Sequence, residues 1–140
     1  MIREVLDHPL LVARPPVLVD VGASTRPPRA WRAIASRAVC VAFDADDRET
    51  SYLEPLRKAY HTLHIVRAVV TDQPAETLAF YLTRFPECSS ALEPDTARLA
   101  NWAFSPLFEV VDRVQVRACR LVEELRRLDL DRVDWLKCDT

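Results

Sequence analysis

The stretch Val17-Leu18-Val19-Asp20-Val21-Gly22-Ala23-Ser24 decides the fold of this chain. Its apolar run is continuous rather than alternating, which predicts a short strand over 17–21 that is buried on both faces. Gly22 follows this strand, and a second apolar strand over 39–43 ends on Asp44. A strand, a glycine turn, a helix and a second strand ending in an acid form the layout of a nucleotide-binding half-fold.

Gly22 is the only glycine among the 140 residues. A dinucleotide pyrophosphate requires close backbone approach at several glycines, so the chain cannot carry a complete glycine-rich phosphate loop. The loop continues as Thr25-Arg26-Pro27-Pro28. The two prolines remove backbone donors that a helix N-terminus would otherwise offer to an anion.

The composition is that of an ordinary globular segment of one domain, with 49% hydrophobic and 29% charged residues. A net charge of -2 provides no basic excess for phosphate contacts, which argues against nucleic-acid binding. The sequence has no apolar run of the ~20 residues that a membrane span needs and no signal-peptide core, so we predict a cytoplasmic protein. The cysteines and histidines show no metal-site spacing, and we predict structural thiols and no metal.

Further elements extend the half-fold. Residues 1–16 form a lead-in with a short helix over 3–14, and helices are predicted over 27–36 and 47–60. A third strand is predicted over 63–70, which completes a β-α-β-α-β series with short connections. Such a series predicts a parallel sheet and an α/β fold.

The spacing of apolar residues changes after Asp72, and an insertion into the parallel series is predicted there. It consists of a strand over 77–83, a helix over 95–103 and a half-exposed strand over 114–119. A helix over 121–128 then leads into a last apolar strand over 133–138. Because an apolar parallel strand without a far-side partner is a poor domain edge, we expect the chain to be the amino-terminal part of a longer protein.

Five segments, in this order along the chain, resemble the FkbM family of S-adenosylmethionine-dependent methyltransferases. They are VDVGA at 19–23, AFDAD at 42–46, AVVTD at 68–72, CSSAL with its double serine at 88–92, and VDWLKCD with its Lys-x-Asp ending at 133–139. The resemblance implies a Rossmann-like class I methyltransferase sheet, partial in this chain, of order 3-2-1-4. The strand-helix-strand insertion would then lie between the third and fourth core strands. Residues 17–140 would be a partial methyltransferase domain, incomplete at its carboxyl end.

The family resemblance also implies S-adenosyl-L-methionine as cofactor and O-methylation of a sugar, glycan, polyketide or similar small hydroxyl acceptor. Asp139 would lie near the methyl group as the base, and we expect the segment alone to be inactive. The implied cofactor residues are Asp20, Gly22, Ala23 and Ser24 along the methionine portion, Asp44 on the ribose with Ala45 beside it, and Ala68 and Val69 near the adenine.

One of these roles also follows from chemistry, because a carboxylate can accept two hydrogen bonds from a vicinal diol. Asp44 follows Gly22 by 22 residues, against the ~20 expected for an acid that reaches a ribose. The family pattern usually has a second glycine where this chain has Thr25-Arg26-Pro27-Pro28. Our hypothesis is that Arg26 compensates by pairing with the methionine carboxylate of the cofactor.

Alternatives stay open for each of these features. Asp20 and Asp44 are also typical of strand-end acids that accept backbone hydrogen bonds, and Gly22 of a simple tight turn. Arg26 could be a solvated loop residue, and Ser89-Ser90 either turn residues or an active-site loop. Asp46 and Asp47 are predicted as the N-cap and first-turn acid of the following helix.

Two other function classes remain. One is a nicotinamide-dependent oxidoreductase, whose second strand also ends on an acid. The other is a methyltransferase-like domain that has lost its cofactor and serves in assembly. The sequence leaves the acceptor substrate and the oligomeric state undetermined.

Overall fold

The computed structural model describes residues 2–23, 27–48, 53–73 and 75–139. Within these ranges, short 3-10 turns at Ala35–Arg37, Pro86–Cys88 and Ser105–Phe108 lie between the main elements. In chain order the helices and strands are α1 (Ile2–Leu6), α2 (Pro9–Ala13), β1 (Val17–Val21), α3 (Arg29–Arg32), β2 (Val39–Phe43), α4 (Leu53–Leu56), β3 (Thr62–Val66), β4 (Val69–Val70), β5 (Thr77–Thr83), α5 (Thr96–Leu99), β6 (Val110–Cys119), α6 (Leu121–Arg127) and β7 (Trp135–Cys138).

The core of the fold is a parallel sheet of four strands in the order β3-β2-β1-β7. With β7 as the fourth core strand, this is the order 3-2-1-4. All five residues of β1 are buried, as its continuous apolar run predicts. The α/β Rossmann-like arrangement is therefore confirmed.

Each face of β1 packs against a different hydrophobic cluster. Leu18 lies in a cluster with Trp31 of α3, whereas Val17, Val19 and Val21 lie in a second cluster with Leu125 of α6. The alternation of side chains along a strand produces this division. Helices therefore cover both faces of the central strand, while β7 lies at the sheet edge.

The predicted strand-helix-strand insertion is present as β5, α5 and β6. β5 pairs with β6 antiparallel and β4 pairs with β6 parallel, which makes a second sheet of order β4-β6-β5. β5 has its predicted bounds. β6 begins four residues before its predicted start, and α5 is a single turn in which the Asp95 carboxylate accepts a hydrogen bond from the Arg98 N–H at 3.0 Å.

The third core strand is shorter than predicted, which changes the place of Ala68 and Val69. β3 ends at Val66, and the chain then turns, with the Ala68 N–H donating to the Val66 carbonyl at 3.1 Å. Val69 belongs to β4 and pairs with Ala118 of the second sheet. The prediction that Ala68 and Val69 end the third core strand is therefore wrong, because an apolar run in the sequence does not reveal that its two halves pair with different sheets.

The predicted helices after β1 and β2 are also shorter. α3 spans four residues and continues as a 3-10 turn, Ala35–Arg37, in which the Arg37 N–H donates to the Ile34 carbonyl at 2.9 Å. Of the helix predicted over 47–60, the described residues are helical only in α4; residues 47, 48 and 57–60 form turns and a bend, and 49–52 lie outside the described ranges. Pro55 lacks the N–H that a longer helix would need.

The first and last elements of the chain also differ from the predicted ones. The lead-in contains two helices, because Pro9 starts α2 and the His8 imidazole accepts a hydrogen bond from the Leu10 N–H at 3.3 Å. β7 begins at Trp135 instead of Val133. Among the described residues, no helix has the length and hydropathy needed to cross a membrane.

A buried acid joins α6 to the second sheet. Glu124 is 2% exposed and accepts hydrogen bonds from Arg117 of β6 and from the Arg127 Nε at 3.0 Å. Burial opposes ionisation of Glu124, but the bonds from Arg127 and Arg117 outweigh it and hold the pKa of this carboxyl below its ordinary value. The charged form of Glu124 therefore stabilises the folded chain.

Glu124→Gln is expected to lower the free energy of unfolding by about 1–2 kcal/mol at pH 7. Because the folded pKa lies below the ordinary value of 4.5, this contribution is present above pH 4.5 and is lost as the pH falls through the folded pKa. Urea denaturation at several pH values measures it, with Glu123→Gln, an exposed neighbour, as the matched control. A difference from wild type that stays constant down to pH 3 contradicts the assignment.

Candidate functional site

The predicted site residues gather where the parallel strands end. Gly22 follows β1, Asp44 follows β2 and Asp139 follows β7, so all three lie at the carboxyl edge of the sheet. In open α/β sheets this edge is where ligands bind.

The glycine turn is closed by its own backbone. Gly22 has φ 77°, in the left-handed region that glycine adopts at no steric cost. The N–H groups of Gly22 and Ala23 both donate to the Phe43 carbonyl, at 3.1 and 2.9 Å. These two donors are therefore already used within the protein and do not point to a phosphate.

Asp44 is a buried acid beside this turn, 9% exposed. Its backbone N–H donates to the Val66 carbonyl at 3.1 Å, and its Oδ1 accepts a hydrogen bond from the Asp46 N–H at 2.8 Å. Asp44 Oδ1 thus accepts a backbone hydrogen bond, as is typical of an acid at the end of a strand. Ala45 is half-buried between these two acids.

Asp20 forms an ion pair with a lysine on the neighbouring strand β7. Lys137 lies directly opposite Asp20 in the β1–β7 register, and its Nζ donates to Asp20 Oδ1 at 2.8 Å. The same ammonium donates to the Gly22 carbonyl at 2.9 Å. Burial raises the pKa of Asp20, and the bond from Lys137 opposes that rise without cancelling it.

Asp139 lies at the same edge but in solvent. Its backbone N–H donates to the Val21 carbonyl at 3.0 Å, which extends the β1–β7 pairing by one residue. Its side chain is 74% exposed, with Oδ2 3.9 Å from the Lys137 Nζ. An exposed carboxylate beside an ammonium is available to a substrate that reaches the sheet edge.

A second group of polar residues joins this edge to the insertion. Asp46 is 2% exposed and accepts side-chain hydrogen bonds from Arg48, among them Nε to Oδ1 at 2.9 Å and Nη2 to Oδ2 at 2.6 Å. Arg48 also donates to the Thr83 carbonyl and to the Ser89 Oγ, each at 3.1 Å. Burial opposes ionisation of Asp46, but Arg48 outweighs it and lowers the pKa of the carboxyl.

These contacts bear on two further predictions. Residues 47 and 48 form a turn, in which the Asp46 Oδ1 accepts a hydrogen bond from the Arg48 N–H at 3.0 Å. Because residues 49–52 lie outside the described ranges, the N-cap role of Asp46 stays a prediction. Ser89 directly follows the 3-10 turn Pro86–Cys88, and its Oγ accepts a hydrogen bond from the Thr83 N–H at 3.1 Å. The double serine is thus linked to the acid-rich end of β2 through Arg48.

Some of the predicted residues are not part of this edge as described. Val69 lies in the second sheet, and Ala68 is buried in the cluster beneath the parallel sheet. Ser24 and Arg26 lie outside the described residues, and the hypothesis for Arg26 stays a prediction. Two surface grooves, of about 470 Å³ beside α5 and about 640 Å³ beside β4 and α6, are not lined by Gly22, Asp44 or Asp139.

Sequence reasoning missed the two basic residues of the site, Lys137 and Arg48. The signal for Lys137 was present, because it stands two residues before Asp139 in a strand, on the same side. Its pairing with Asp20 depends on the register between strands 117 residues apart, which no local pattern reveals.

Comparison of the chain with protein-family models, with curated proteins and with solved structures finds no match. The residues at the sheet edge and their geometry are therefore the basis for inferring a function.

Proposed function

We propose that the chain binds S-adenosyl-L-methionine at the carboxyl edge of its parallel sheet, as part of a methyltransferase that acts on a hydroxyl group. The acceptor class suggested by the resemblance is a sugar, glycan, polyketide or similar small molecule. The observation that carries the proposal is the buried Asp44 at the end of β2, beside a glycine turn whose N–H groups are occupied by the Phe43 carbonyl.

The acid and the turn together favour this cofactor over a dinucleotide. A carboxylate at the end of the second strand suits a ribose diol in either case. A dinucleotide also needs backbone N–H groups for its pyrophosphate, and those of Gly22 and Ala23 already donate within the protein. S-adenosyl-L-methionine carries no phosphate, so an occupied turn does not exclude it.

The residues of the edge have separate tasks in this proposal. When bound, S-adenosyl-L-methionine would supply a methyl group on a positively charged sulfur. The acceptor oxygen would bond to the methyl carbon as the carbon–sulfur bond breaks, and the sulfur would leave as a neutral thioether. Asp44 would hold the ribose hydroxyls, and the turn at Gly22 would border the methionine portion. Asp139 would accept the proton of the acceptor hydroxyl, since its carboxylate is exposed at the same edge.

Calorimetric titration of the chain with S-adenosyl-L-methionine and, separately, with NAD tests the proposal. We expect saturable binding of one equivalent of S-adenosyl-L-methionine and no heat of binding with NAD. Binding of NAD alone would replace the proposal with an oxidoreductase. Binding of neither would favour a methyltransferase-like domain that serves in assembly.

A further inference from the structure

We infer that Lys137 is a positioning residue for the cofactor edge, because one ammonium group holds both the glycine turn and the buried acid of the central strand. The inference about cofactor binding rests on the proposed function. The inference about the turn does not, because it concerns contacts within the protein.

Lys137 contacts two neighbouring residues at the carboxyl end of β1. Its Nζ donates to Asp20 Oδ1 at 2.8 Å and to the Gly22 carbonyl at 2.9 Å, and Asp139 Oδ2 lies 3.9 Å away. The side chain is 20% exposed, so these bonds are partly shielded from water. A lysine ammonium has three donors, two of which are used here.

The bond to the carbonyl completes the fixation of the turn. Gly22 donates its N–H to the Phe43 carbonyl and accepts from Lys137 at its own carbonyl. Both polar backbone groups of the glycine are thereby held, one by β2 and one by β7. Glycine loses more conformational freedom on ordering than any other residue, so these two restraints determine how rigid the turn is.

The charge of Asp20 depends on the same lysine. The titratable groups that face Asp20 are Lys137 from β7, Asp139 directly after β7, Cys40 from β2, and Tyr60, which precedes β3. Burial, together with the negative charge of Asp20, raises the pKa of Cys40 to about 12, and burial also raises the pKa of Tyr60, so both stay neutral. Lys137 therefore supplies the positive charge that opposes the rise in the pKa of Asp20.

Because Gly22 is the only glycine in the chain, labelling with ¹⁵N-glycine produces a spectrum with one amide signal. In the wild type this signal should be sharp and should move with pH as Asp20 titrates above its ordinary range. In Lys137→Met we expect the Gly22 signal to shift and broaden and the titration midpoint to rise further. Lys137→Arg, which keeps a charged donor, should restore both in part.

Two matched variants make this experiment specific. Lys58→Met removes the other lysine of the chain, which is exposed, and should leave the Gly22 signal unchanged. Asp20→Asn should abolish the pH dependence of the signal. If Lys137→Met does not fold, Asp20→Asn with Lys137→Met removes both charges, and its Gly22 signal should still differ from that of Asp20→Asn.

Cofactor affinity provides the second readout. We expect Lys137→Met to weaken binding of S-adenosyl-L-methionine by about 10-fold to 100-fold, with Lys58→Met as the control. An unchanged Gly22 signal overturns the role of Lys137 in the turn. A wild type that binds no S-adenosyl-L-methionine overturns the proposed function and the cofactor part of this inference, while the Gly22 signal still decides the other part.

Discussion

Replacing Asp44 with alanine is expected to weaken binding of S-adenosyl-L-methionine by at least about 100-fold. Two hydrogen bonds from a ribose diol to an ionised carboxylate contribute about 1.5–3 kcal/mol each, and 1.4 kcal/mol corresponds to a factor of ten. Asp44 is buried beside the glycine turn, so water would not replace the lost acceptor easily. Calorimetry on wild type and variant measures the change.

Two further variants separate a binding role of Asp44 from a structural one. Asp44→Asn keeps an oxygen for the Asp46 N–H, which Asp44 Oδ1 accepts at 2.8 Å, but loses the charge and one acceptor. It should fold as the wild type does and bind more weakly. Asp131→Asn makes the same chemical change in an exposed ion pair with Arg14 and should leave affinity unaltered. If Asp44→Asn binds like the wild type, Asp44 does not hold the ribose.

The second large effect concerns stability. Arg48→Met is expected to lower the free energy of unfolding by about 3–5 kcal/mol at pH 7, because it leaves the carboxylate of Asp46 buried without its cation. The variant also loses the bonds to the Thr83 carbonyl and the Ser89 Oγ, which join β2 to the insertion. Urea denaturation followed by circular dichroism measures the loss.

The pH dependence of this stability loss tests whether the buried charge of Asp46 causes it. In the wild type the pKa of Asp46 is lowered from 3.8, so its contribution is present above that pH and is lost as the pH falls further. Without Arg48, burial raises the pKa, and the variant regains stability relative to the wild type as Asp46 takes up a proton. The difference between the two proteins should therefore shrink from pH 7 towards pH 4.

Controls use the same chemical change elsewhere. Arg84→Met breaks an exposed ion pair with Glu109 and should cost less than about 1 kcal/mol. Adding Asp46→Asn to Arg48→Met removes the buried charge and should recover part of the lost stability. If Arg48→Met costs no more than Arg84→Met, the buried pair does not stabilise the fold.

Much of the parallel sheet could be predicted from local pattern. The run 17–21 is continuous and apolar, and the structure buries it completely between two helical layers. Gly22 stands where the chain needs a positive φ, and Asp44 where β2 ends. These features depend on residues that are close together in the sequence, so local sequence patterns are enough to predict them.

The prediction that most affected the site failed because it involves pairing between distant segments. The apolar residues 63–70 read as one strand, but Val66 ends β3 and Val69 pairs with β6. The role of Arg48 was missed for the same reason, because besides Asp46 it binds the Thr83 carbonyl and the Ser89 Oγ of the insertion. In both cases a partner lies dozens of residues away in the chain.

The sequence by itself determined the α/β class, the buried central strand, the glycine turn and the acid that ends β2, because each follows from short-range periodicity or from a backbone requirement at one residue. The tertiary structure alone decided which charges meet. Lys137 reaches Asp20 and Gly22 because β7 pairs with β1, and Arg48 reaches Ser89 because the insertion folds onto the end of β2. Such contacts arise from strand register and packing, which depend on the whole fold.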